Sequence, residues 1–168
     1  KTGEWHSTSS QRAHPGADDS PTTAIVRAAF RSLLERVPHF RVLADFGDAR
    51  EAIAAVAEFR PDIVMLDITM PGLSGLDAVG PIKQSSPSTR VMMASQNEGQ
   101  KFVRQALMAG ADGYLSKDSE PEELAIAIEA IHRGDSYLSP KVAGRLVTQV
   151  ARGESLATDD GSALAVLT

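Results

Sequence analysis

The stretch from Pro61 to Gly75, PDIVMLDITMPGLSG, decides the fold. Its DIVML run is short, continuous, apolar and rich in branched side chains, which suits a strand covered by helices on both faces. The run stops at a single carboxylate, Asp67, and a Met-Pro-Gly turn follows. An acid at the mouth of a buried strand asks what it is for.

Working outward, RVMMAS and DGYLS behave like DIVML and predict two further strands, with a helix from Glu98 to Ala109 between them that stops at Gly110. Upstream, FRVLADF alternates imperfectly as a strand, and DAREAIAAVAEFRP reads as a helix capped by Asp48. Before it, Ile25, Val26, Ala29, Phe30, Leu33, Leu34 and Val37 recur at helical spacing up to Pro38. Downstream, Ser119 and Glu122 have capping-box spacing ahead of a helix whose stripe is Leu124, Ala127, Ile128 and Ile131, with Gly134 as its stop. A last helix starts with Ser139 as cap and Pro140 in its first turn, and is expected to bury Val142, Leu146 and Val150. Alternating strands and helices with short connections imply a mostly parallel α/β sheet with helices on both faces. Within DAVGPIKQ, Gly80 and Pro81 predict a kinked or short helix, because Pro81 lacks a backbone donor and crowds the Asp77 carbonyl.

Composition narrows the function. The 168 residues carry a formal charge of −5 with 42% hydrophobic and 23% charged residues, an ordinary globular mixture. No overall basic field exists to attract nucleic acid or an anionic membrane. Cysteine is absent, which excludes disulfides and thiolate metal sites. Apolar runs fall short of the ~20 residues that span a bilayer, and the first residues lack a signal-peptide core, so the expected setting is soluble and cytoplasmic. The organisation expected is a disordered or non-native segment at 1–16, a folded domain at 17–136, a C-terminal helix at 137–151 and a linker at 152–168. His6, His14, His39 and His132 show no metal-ligand spacing.

Residues that end parallel strands converge on one rim. Asp18 and Asp19, Asp67, Ser95 and Lys117 fall at such ends, giving three acids, a hydroxyl and an ammonium. Crowded carboxylates repel unless a cation sits among them, and Mg²⁺ favours hard oxygen ligands beside a phosphate. An aspartate can also accept a phosphoryl group as an acyl phosphate, with a metal, a lysine and a hydroxyl to neutralise or hydrogen-bond the moving oxygens.

The ordered combination DIVMLDITMPGLSGLDAV, RVMMAS and MAGADGYLSKDSEPEELAIAI resembles the receiver domain of bacterial two-component response regulators, of the NarL/FixJ (LuxR) type, over about residues 17–150. The resemblance implies a flavodoxin-like (CheY-like) doubly wound, five-stranded parallel sheet of order 2-1-3-4-5, followed by an extra C-terminal helix and linker. It implies that Asp67 is the phosphoacceptor, and that Asp18, Asp19, Asp67 and the Thr69 backbone carbonyl hold Mg²⁺. Ser95 matches the switch hydroxyl, Tyr114 the rotating aromatic and Lys117 the phosphate-binding lysine. The implied partners are a histidine kinase and a second copy of the chain, with no membrane. DNA would be reached only through a helix-turn-helix domain beginning where the chain stops at AVLT. The domain would accept a phosphoryl group and is not expected to be a dedicated enzyme.

Two departures bear on this. QRAHPGADD places Pro15 where the first strand should run, which predicts a distorted, missing or non-native strand and weakened Mg²⁺ binding by Asp18 and Asp19. Such damage also favours an alternative, a receiver-like interaction module that signals without phosphorylation. An aspartyl-nucleophile phosphatase would need a second acid where Thr69 stands, and a nucleotide binder would meet repulsion from Asp18 and Asp19.

Overall fold

The structure is a computed structural model that describes residues 31–152 apart from 71, 97 and 98. It opens in a helical segment at 31–35 (α1), followed by turns to residue 39. Helix α2 is Ala49–Phe59, where the Asp48 carboxylate accepts the Arg50 N–H at 2.7 Å and so gives one of the helix start's unpaired donors an acceptor. Strand β1 (Ile63–Asp67), helix α3 (Gly75–Ser85), strand β2 (Arg90–Ser95), helix α4 (Gln100–Ala109) and strand β3 (Gly113–Ser116) follow. Helix α5 (Pro121–His132), strand β4 (Tyr137–Leu138) and helix α6 (Pro140–Ala151) complete the described chain. Gly110 closes α4 at φ 105°, a left-handed turn that glycine adopts without a steric penalty, and its N–H returns to the Ala106 and Leu107 carbonyls.

The four described strands are parallel and lie in the order β1-β2-β3-β4. Parallel neighbours need crossovers, and α3, α4 and α5 supply them. Strand residues alternate between two cores, as a period of two demands. Val64, Leu66, Val91, Met93 and Tyr114 face α2, α3, α4 and α6, while Ile63, Met65, Met92 and Leu115 face α1 and α5. Each large side chain withdrawn from water here contributes roughly 1.5–3 kcal/mol.

The sheet corrects several expectations. Residues 40–46, FRVLADF, form no strand: the segment is irregular, Leu43 is 54% exposed, and Phe40 and Phe46 pack into opposite cores. A strand needs a ladder partner, and among the described residues none lies beside this segment. The region ahead of Asp18, where the first strand was expected, lies outside the described residues. The order 3-4-5 of the expected sheet therefore corresponds to β1-β2-β3, and β4 adds an edge pair that periodicity over two residues could not reveal.

Pro81 does not stop its helix: α3 runs 11 residues and ends at Ser85, held by Ala78, Val79 and Ile82, all wholly buried. Burial outweighs the single backbone bond that proline removes. Ser119 is not the cap of α5, since Glu120 occupies that position with Pro121 at the first turn and no side-chain cap bond forms. Proline at the first helical position is preorganised and lacks the N–H a cap would serve. Val142 is buried and Leu146 packs on the core, but Val150 is 64% exposed, because α6 turns that side away from the sheet.

Candidate functional site

Register gathers the chemistry at the carboxyl rim of the sheet. Asp67 is paired with Ala94, one residue before Ser95, and Ser95 is paired with Ser116, one residue before Lys117. Three strand ends separated by up to 50 residues in sequence thus lie side by side. The Lys117 ammonium donates to Asp67 Oδ2 as an ion pair, with side-chain exposures of 14% and 23%. The Thr69 N–H donates to Asp67 Oδ1 at 2.9 Å, so each carboxylate oxygen is held by a different donor. Such a partly buried pair is worth keeping only with good geometry, and here the strand register and the turn supply it.

The turn after Asp67 is compact. Met70 N–H reaches the Ile68 carbonyl at 3.1 Å, and Gly75 N–H reaches the same oxygen at 3.3 Å. Ser74 caps α3 by accepting the Asp77 N–H at 3.2 Å while donating to the Asp77 carboxylate at 2.7 Å. A β carbon at Gly75 would lie 2.0 Å from the Asp67 carbonyl oxygen. Neither Ser74 nor Gly75 stood out in the sequence as a site residue, although Ser-x-x-Asp spacing seven residues beyond a strand-end acid marks a helix start pressed against the site.

Ser95 is wholly buried at the end of β2, and its carbonyl accepts the Lys117 N–H at 3.0 Å. Tyr114 is also wholly buried, in the core that contains Val103, Ala106 and Val142, and does not project from the rim. Its carbonyl accepts the Ser139 N–H at 3.0 Å, which ties the start of α6 to β3. Asp18 and Asp19 lie outside the described residues, so their distance to Asp67 is not part of this geometry.

At the opposite end of the sheet a second aspartate is embedded among cations. Asp112 accepts Lys83 Nζ at 2.7 Å and Val91 N–H at 2.8 Å on one oxygen, and Arg90 at 3.1 Å on the other. Burial pushes this carboxyl up, but the bonds from Lys83, the Val91 N–H and Arg90 outweigh it and hold the group below its ordinary range. Lys83 Nζ also donates to the Thr89 carbonyl at 3.0 Å. This network joins α3 to two strands, and contacts spanning 29 residues leave no local signature in the sequence.

Chemically, the rim offers a partly buried carboxylate, an ammonium and a hydroxyl. The Asp67 carboxylate and the Thr69 carbonyl are hard oxygens of the kind a magnesium ion takes. No group of three or more His, Cys, Asp or Glu residues suited to a metal occurs among the described residues. Among those residues no helix is long and apolar enough to cross a membrane.

Comparison with known proteins gives the following relationships. Residues 17–129 match the response regulator receiver domain family. The chain is 32% identical over 138 residues to the transcriptional regulatory protein YxjL of Bacillus subtilis, covering 82% of this chain and 62% of that protein. It is 34% identical over 134 residues to the oxygen regulatory protein NreC of Staphylococcus epidermidis, covering 79% of this chain and 60% of that protein. The crystal structure of a two-component response regulator of the LuxR family from Aurantimonas sp. SI85-9A1 superposes with a TM-score of 0.73 at 39% identity, covering 76% of this chain and 91% of that one. The chain thus spans less than two thirds of the curated relatives it matches.

Proposed function

The chain belongs to the response regulator receiver domain family, in its LuxR/NarL branch, and on that premise we propose that Asp67 is the residue that accepts the phosphoryl group. The Lys117 to Asp67 ion pair at the rim carries this reading. It holds the carboxylate in place at the rim and sets a cation where phosphoryl oxygens would arrive.

In the step proposed, an Asp67 carboxylate oxygen attacks the phosphorus of a phosphohistidine on a histidine kinase. The new O–P bond forms as the P–N bond breaks, and the imidazole leaves with that electron pair. Lys117 moves its ammonium from the carboxylate to a phosphoryl oxygen, and the Ser95 hydroxyl donates to another. The Thr69 N–H holds the carboxylate against rotation throughout.

Receiver domains of this family generally bind Mg²⁺ at the phosphorylation site. Here Asp18, Asp19, Asp67 and the Thr69 carbonyl would hold it. When bound, it supplies positive charge that lets acidic groups and phosphate share one small space.

Phosphorylation puts a phosphoryl group carrying roughly −1.5 to −2 of charge at the rim in place of the carboxylate's single charge. Tyr114, on the strand that ends just before Lys117, is the element through which that charge would be felt in the core beneath α6. Homodimerisation and control of transcription through a DNA-binding output are the downstream events proposed, in a cytoplasmic setting. The domain acts as a switch and not as a dedicated enzyme.

The test is intact-mass measurement after incubation with acetyl phosphate and Mg²⁺. Wild type gains one phosphoryl mass and Asp67→Asn gains none. An unmodified wild type, or a modified Asp67→Asn, would sink the proposal.

A further inference from the structure

We infer that Gly75 is a positioning residue for Asp67, an assignment that rests on the phosphoacceptor reading above. A β carbon on Gly75 would sit 2.0 Å from the Asp67 carbonyl oxygen, 2.7 Å from its carbonyl carbon and 3.3 Å from Ile68 Cα. All three are backbone atoms, which cannot swing aside as the end of a long side chain can. Gly75 is not among the glycines with positive φ, so the requirement is for room and not for unusual dihedrals.

Both bodies that meet at Gly75 are pinned. Helix α3 is held by its Ser74 cap and by the buried Ala78, Val79 and Ile82. Strand β1 is held by its ladder to β2 up to the Asp67 and Ala94 pair. A side chain inserted between them must therefore displace what is least held, the turn from Asp67 to Met70. That turn contains the Thr69 N–H that fixes Asp67 Oδ1, so its movement rotates the carboxylate away from Lys117. Glycine at this position lets the helix start close on the strand end and sets the direction of the nucleophile.

The same helix provides a foil. A β carbon on Gly80 would meet nothing within 4 Å, so alanine there fits without displacement. Ile82 provides the other control, being wholly buried in α3 and remote in sequence from the turn. Shortening it to valine loosens the helix without adding an atom near Asp67.

The experiment compares Gly75→Ala, Gly80→Ala and Ile82→Val in the full chain, using acetyl phosphate, Mg²⁺ and intact mass to follow phosphorylation. Gly75→Ala is expected to slow the reaction about 100-fold, the scale on which an ångström of misplacement acts, while both controls stay within about threefold of wild type. The carboxyl carbon resonance of Asp67 in the unphosphorylated protein should move in Gly75→Ala and stay in place in Ile82→Val. A Gly75→Ala rate within about threefold of wild type, or an equal loss in Ile82→Val, overturns the inference. Absence of mass gain in wild type instead overturns the acceptor reading, and the positioning role falls with it. If Gly75→Ala does not fold, Ser74→Ala frees the same helix end without a clash. Slowing by about tenfold is then expected, and a wild-type rate overturns the inference.

Discussion

At the carboxyl rim, two donors among the described residues reach Asp67, the Thr69 N–H and the Lys117 ammonium. At the amino end of the sheet Asp112 takes Lys83, Arg90 and the Val91 N–H, donors drawn from α3 and β2. Both acids pair with a lysine, yet their surroundings differ in kind. Asp112 is bound on both oxygens by cations and bolts a helix to two strands. Asp67 meets a single lysine, and its other donor comes from its own turn. A carboxylate has about four lone-pair sites, so the rim acid keeps capacity for a metal or a phosphorus that the opposite acid has spent on structure. Residue type and a place beside a strand end would not separate them, since Asp112 lies just before β3 as Asp67 closes β1.

The sharpest way to break this comparison is to neutralise each acid in turn. Asp67→Asn should abolish phosphorylation, and Asp112→Asn should leave it intact while lowering the urea midpoint. A folded Asp112→Asn that no longer accepts phosphate, by intact mass, would show that the two ends do not divide their work. Next in size is the Gly75→Ala effect on rate. Third, Asp112→Asn should cost about 2–3 kcal/mol in urea unfolding, since it strands the partly buried Lys83. That cost depends on pH with a definite sign. The folded carboxyl lies below its ordinary 3.8, so its contribution is present above that value and disappears as pH falls through the lower folded value. The stability gap between wild type and Asp112→Asn should accordingly narrow below about pH 4, as thermal unfolding across acid pH would record.

The smallest effect concerns the root of α6. Ser139 occupies the cap position without making a side-chain cap bond, and its buried hydroxyl has no hydrogen-bond partner among the described residues. Removing an ordinary cap costs about 1 kcal/mol, whereas removing a buried hydroxyl that bonds nothing is neutral or stabilising. Ser139→Ala should therefore hold or raise the thermal midpoint, and a clear drop would restore Ser139 to the role its sequence position suggested.

What the sequence made legible follows from how locally each feature is encoded. The strands at Asp67, Ser95 and Ser116 are unbroken apolar runs bounded by polar residues, and their convergence follows from parallel topology. Asp48 as a cap and Gly110 as a stop are one-turn features that side-chain chemistry dictates. FRVLADF misled because a strand is defined by its neighbour, and alternation cannot say whether that neighbour is there. Val150 misled because helical periodicity gives the apolar side of α6 but not how much of that side the sheet can cover. Pro81 misled in the other direction, since its local penalty was visible and the burial that overrides it was not. Asp112 with Lys83, and the space that Gly75 leaves beside Asp67, are properties of three-dimensional packing with no one-dimensional period. The pair Asp18 and Asp19 belongs to the resemblance and lies outside the described residues.

Strand β3 holds Lys117 just beyond its rim end and Tyr114 three residues before it, a separation of roughly 10 Å. The Tyr114 carbonyl is bonded to the Ser139 N–H, and Ser139 is the residue from which α6 departs. One short length of backbone is therefore a connecting rod. A displacement of the Lys117 main chain would reach the start of α6 through backbone and a single hydrogen bond.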